Sequence, residues 1–130
     1  MARILLAEDD DSVRTFVRRA LELDGHAVVE APDGAAALAA IGRPGEHFDL
    51  LVSDITMPEV DGIELAHAAA RRRPALPIVL MTGYAEQREQ AADLVEIVRD
   101  VVAKPFTLDE IRRAIGRALA ATAPARTAAA

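Results

Sequence analysis

The chain alternates between short apolar runs and longer stretches in which apolar residues recur at helical spacing. Five runs read as strands: Arg3–Ala7, Ala27–Glu30, Asp49–Ser53, Pro77–Met81 and about Asp100–Ala103. "ILLA", "LLVS" and "IVLM" are apolar throughout rather than alternating, the pattern of strands covered on both faces. Asp11–Leu23 places Val13, Phe16, Val17, Ala20 and Leu21 at i, i+3, i+4, i+7 and i+8, which predicts a helix with one apolar face. Asp33 and Gly34 open a second, alanine-rich helix to about Ile41, closed by "GRPG". Asp61 can cap a third, running to about Arg72 ahead of Pro74. A weaker, mostly polar helix is expected around Glu86–Glu96. "TLDE", Thr107 to Glu110, is a capping box for a last helix with Leu108, Ile111, Ile115 and Leu119 on one side.

Five successive β–α units predict a parallel sheet with helices on both faces. A chain of 130 residues is ordinarily one domain, expected here over residues 1–120. The remainder, 121–130, "ATAPARTAAA", has no apolar period and reads as a disordered tail.

Composition narrows the chemistry. There is no cysteine, which removes disulfides, thiolate zinc sites and thiol nucleophiles and fits a reducing cytoplasm. A net charge of -6 argues against general nucleic-acid binding, which needs a basic surface. No stretch approaches the roughly 20 apolar residues of a membrane span, and "MARILLAEDD" lacks the apolar core of a signal peptide.

Ligands of open parallel sheets sit beyond the carboxyl ends of the strands. The residues just past each strand are therefore informative: Glu8, Asp9 and Asp10 after the first, Asp54 after the third, Thr82 and Gly83 after the fourth, Lys104 and Pro105 after the fifth. Asp10 and Asp11 read as a helix cap. With strands one and three adjacent, Glu8, Asp9 and Asp54 converge, and three acids in one pocket need a cation. Magnesium, which takes one or two protein carboxylates and keeps waters, suits such a place. A carboxylate nucleophile, a metal, an ammonium and a hydroxyl are the parts of phosphoryl transfer onto an aspartate. His26, His47 and His67 show no metal spacing.

"ILLAEDDDSVR", "LLVSDITMPEVDGIEL", "PIVLMTGYA" and "AKPFTLDEI", in this order over residues 3 to about 119, resemble the receiver domain of bacterial two-component response regulators. The resemblance implies a flavodoxin-like (βα)5 three-layer sandwich with strand order 2-1-3-4-5. It implies that Asp54 accepts a phosphoryl group from a histidine of a kinase or phosphotransfer protein. It assigns Mg²⁺ to Glu8, Asp9, Asp54 and the main-chain carbonyl of Thr56. Thr82 and Lys104 would contact the phosphoryl group, with Lys104–Pro105 in a cis peptide. Where receivers commonly carry an aromatic residue three positions before the lysine, this chain has Val101. Its only tyrosine, Tyr84, stands two residues after Thr82 and is a candidate gate. The pieces also resemble stand-alone, CpdR-type regulators, and "TGYAEQREQA" the receiver modules of hybrid kinases.

That likeness implies output through a partner protein, an ATP-dependent protease or its substrates, from a monomer or a weak phosphorylation-dependent dimer. The alternative within the family is a phosphate sink or phosphorelay intermediate. Outside it, a haloacid-dehalogenase-type phosphatase would want a second Asp two residues past the nucleophile, where Thr56 stands. A flavin carrier would want a phosphate loop where "AEDDDS" is acidic. A passive scaffold would not need the full set of acids, threonine and lysine.

Overall fold

A computed structural model describes residues 1–83, 94 and 96–129, with side chains described as far as residue 120. Strands β1 (Arg3–Ala7), β2 (Ala27–Ala31), β3 (Leu50–Asp54), β4 (Ile78–Thr82) and β5 (Asp100–Ala103) form one sheet in the order β2-β1-β3-β4-β5. Every neighbouring pair is parallel. The chain is the flavodoxin-like α/β sandwich its sequence implies. Helices α1 (Asp11–Leu23), α2 (Gly34–Gly42), α3 (Gly62–Arg72) and α4 (Leu108–Ala129) cover it.

The strand pleat divides the core in two. Ile4, Leu6, Leu50, Val52, Val79 and Met81 face one side, against Val17, Ala20 and Leu21 of α1 and Ile111, Ile115 and Ala118 of α4. Leu5, Leu51, Ile78 and Leu80 face the other, against α2 and α3. Both faces are therefore dry, which is why the central strands lack polar alternation. Phe16 departs from its expected place in the α1 core stripe. It is 40% exposed, and its ring lies 6.2 Å from that of Phe106 in the loop beyond β5.

Local chemistry sets the helix starts. Asp10, Asp33 and Asp61 accept hydrogen bonds from the first free amides of α1, α2 and α3. Thr107 and Glu110 form the reciprocal capping box: Thr107 N–H donates to Glu110 Oε1 at 2.9 Å and Glu110 N–H to Thr107 Oγ1 at 3.1 Å. Helical backbone in α4 continues past the end near residue 119 that the apolar spacing predicts, into the segment read as a tail. The weak helix expected around Glu86–Glu96 falls almost wholly outside the described residues.

Two features fix the loop after β3. Glu59 adopts the left-handed region, with φ of 65°. Gly62 comes so close to β3 that a Cβ there would lie 2.2 Å from the Asp54 carbonyl oxygen. Its N–H donates to the Ile55 carbonyl at 2.8 Å. The chain after Asp54 is thus folded back directly under the start of α3.

Candidate functional site

The four strand ends expected to carry chemistry meet at the carboxyl edge of the sheet. β3 and β4 each run one residue further than the apolar pattern predicts, so Asp54 and Thr82 are the last residues of their strands rather than loop residues. Asp54 lies in register with Met81, and Thr82 with Ala103. Ladder bonds continue past them, from Ile55 N–H to the Met81 carbonyl at 3.0 Å and from Lys104 N–H to the Thr82 carbonyl at 2.7 Å. The backbone at both residues is therefore held by the sheet itself.

Glu8, Asp9 and Asp54 each offer a carboxylate oxygen within 4.8 Å of the others. Their exposures differ. Glu8 is fully buried and Asp54 nearly so, while Asp9 is exposed. Lys104 Nζ lies 2.8 Å from Glu8 Oε1 and 3.2 Å from Asp54 Oδ1. The other Glu8 oxygen accepts from the Asp10 amide at 3.2 Å. Thr82, the last residue of β4, is buried.

Burial pushes the Glu8 carboxyl up from an ordinary value of 4.5 to about 7, and the Asp54 charge adds to the effect, while Lys104 and the Asp10 amide oppose it. Burial also works against the Lys104 charge, but the hydrogen bond to Glu8 and the charges of Asp54 and Glu8 outweigh it and hold the ammonium above its usual value. Ionised, the three carboxylates carry three negative charges against one ammonium. The donors are all oxygen, two of them buried, and a hard divalent cation fits their charge and chemistry.

Two supporting residues carry no mark in the sequence. Arg14 Nη1 donates to the Glu8 carbonyl at 2.9 Å, and its guanidinium also pairs with Asp11 and Glu30. Ser53 Oγ, buried, donates to the Asp54 carbonyl at 2.9 Å. Nothing in the local pattern marks either one, because each acts on the backbone of a neighbour. The Lys104–Pro105 peptide is cis. Val101 is half-buried and packs against the core on the α2 and α3 side. Tyr84 lies outside the described residues.

The family model of the response regulator receiver domain matches residues 4–116, nearly all of the sheet and its helices. The chain belongs to this family. The receiver is 40% identical over 121 residues to the response regulator receiver protein CpdR of Brucella abortus, covering 93% of this chain and 99% of that one. It superposes on a CheY-like receiver domain protein from Methanospirillum hungatei with a TM-score of 0.86 at 27% identity, covering 95% and 98% of the two chains. It also matches the response regulator TrrA from Thermotoga maritima, solved in complex with Mg²⁺ and BeF, with a TM-score of 0.82 at 27% identity, covering 92% and 100%. Receivers are phosphoacceptors rather than turnover enzymes. No helix among the described residues of this one is long and apolar enough to cross a membrane.

Proposed function

We propose that this receiver is a single-domain response regulator that takes a phosphoryl group onto Asp54 from a phosphohistidine of a kinase or phosphotransfer protein. One observation carries the reading. A single ammonium, Lys104 Nζ, reaches both the buried Glu8 and Asp54, in a cluster of three carboxylates that one positive charge cannot neutralise. Glu8, Asp9, Asp54 and the Thr56 main-chain carbonyl are the groups that would hold Mg²⁺. When bound, the ion supplies charge neutralisation for the phosphoryl oxygens.

In the transfer, an Asp54 carboxylate oxygen forms a bond to phosphorus as the donor's N–P bond breaks. The departing imidazole keeps the electron pair and takes up a proton, and an acyl phosphate remains on Asp54. The strand ladder on both sides of Asp54 holds the nucleophile in place. Lys104 pairs with a phosphoryl oxygen, and the Thr82 hydroxyl donates to another. Hydrolysis of the acyl phosphate by water returns the carboxylate and releases inorganic phosphate.

The acyl phosphate carries about -1.5 to -2 where the carboxylate carried a single negative charge, and its oxygens then bias the face built from β4, β5 and α4 toward a second arrangement. Val101, in place of an aromatic side chain, alters the usual coupling to Thr82. Tyr84 is the candidate gate. The output is a partner protein in the cytoplasm, an ATP-dependent protease or its substrates, a reading supported by the full-length likeness to CpdR. Affinity capture from cells with wild type and with Asp54→Ala tests it. A protease or protease substrate recovered in amounts that depend on Asp54 supports the proposal, and identical protein sets from both baits contradict it.

A further inference from the structure

Helix α2, "GAAALAAIG", carries no polar side chain on any face, although only one of its faces packs on the sheet. Gly34, Ala37, Ala40 and Ile41 turn inward, while Ala35, Ala39 and Gly42 are exposed and Leu38 is half-buried. A surface helix ordinarily presents polar side chains outward. Here the outer face lines an open groove of about 490 Å³ between α2 and α3, floored by Ala35, Leu38, Ala39 and Val60.

The groove is electrically bipolar. Arg43 and Arg72 line one end, and the Arg72 guanidinium reaches over Gly42, where a Cβ would come within 2.7 Å of it. The other end lies at the start of both helices, where Gly34 abuts Val60. Glu59, next in sequence to Val60, and Glu64 in the first turn of α3 are exposed there. Among the described residues neither Arg72 nor Glu59 takes part in an ion pair.

From this arrangement we infer that the groove docks a second copy of this chain, α2 against α2 in antiparallel orientation. A two-fold axis near Leu38 and Ala39 sets each basic end over the partner's acidic end, so the surface is complementary to itself. Antiparallel packing also opposes the two helix dipoles favourably. Exposed alanines let the helix backbones approach closely. Two nine-residue helices cover less than the roughly 1,200 Å² of a stable complex, so the association is weak and concentration-dependent. It involves neither Asp54 nor the β4, β5 and α4 face, and stands independently of the phosphoryl chemistry.

Sedimentation velocity on the full chain from ~10 µM to ~1 mM tests it, since mass action makes a weak dimer visible only at the upper end. The sedimentation coefficient of wild type rises across that range. Ala39→Glu, which sets two carboxylates face to face near the axis, abolishes the rise. Arg72→Glu and Glu59→Arg each weaken it about tenfold or more by placing like charges opposite one another. An equimolar mixture of those two variants associates again, because each then meets its opposite charge. Unchanged thermal midpoints show that the variants are folded. A wild type that stays monomeric throughout overturns the inference, as does an Ala39→Glu variant that associates normally or a mixture that fails to recover. A monomeric wild type whose α2 amide signals shift on adding an acidic peptide would give the groove to a different partner and likewise overturn it.

Discussion

Lys104 and Glu8 stand 96 residues apart in the chain, yet Nζ lies 2.8 Å from Oε1. The pair joins the first strand end to the last across the mouth of the sheet, and Asp54 lies between them in the strand order. Glu8 is buried, and burial keeps its pKa near 7 even with the ammonium present. The lysine is therefore both the partner that lowers the Glu8 pKa and, among the described residues, the cation paired with the proposed nucleophile.

Removing that cation should raise the Glu8 pKa. In Lys104→Met, with no metal added, the Glu8 carboxyl should titrate above about 7, because the hydrogen bond and charge that oppose burial are gone. Carbon-detected NMR of the glutamate carboxyl reads this directly. A Glu8 that titrates at the same pH in the variant would show that the lysine does not act on it.

The same shift makes the stability of the metal-free protein depend on pH. Glu8 titrates near 7 when folded and near 4.5 when unfolded, so the folded state binds more protons between those values. The contribution from Glu8 is complete below 4.5 and is lost as pH rises through about 7. Urea unfolding of wild type and Glu8→Gln at pH 5 and pH 7.5 isolates it: wild type should lose stability relative to the variant at the higher pH. Saturating Mg²⁺ should reverse the trend, because the ion binds the deprotonated carboxylate.

Gly62→Ala should act on both stability and chemistry. The new methyl group would meet the Asp54 carbonyl oxygen at 2.2 Å and the Ile55 Cα at 2.8 Å, both of them backbone atoms. Overpacking of this kind costs about 1–3 kcal/mol. The thermal midpoint should fall, and the fraction that remains folded should label more slowly at Asp54, because the strand end that carries it is displaced. A variant with the wild-type midpoint and labelling rate would show that the close approach constrains neither.

Much of this was legible in the sequence because the signals are local. Uninterrupted apolar runs marked doubly covered strands, and Asp10, Asp33, Asp61 and Thr107 marked helix starts. The acids, threonine and lysine of the site were visible as residues just past strands. Contacts set by tertiary approach were not visible. The spacing that put Phe16 in the core stripe of α1 carries no information about Phe106, which draws its ring to the edge. The ends of β3 and β4 were one residue short because an acid and a threonine look like loop residues until the neighbouring strand pairs with them. Gly62 reads as a turn residue, and its contact with the Asp54 carbonyl depends on where β3 delivers that oxygen. Arg14 looks like a solvated helix residue until the loop after β1 folds back over it.

The central claim is that Asp54 is the oxygen nucleophile of this cluster. Intact-mass spectrometry after incubation with acetyl phosphate and Mg²⁺ tests it most directly. Wild type should gain one phosphoryl mass, hydroxylamine should remove it as expected of an acyl phosphate, and Asp54→Asn should stay unmodified over the same interval. An Asp54→Asn variant that gains the same mass at the wild-type rate would contradict the account.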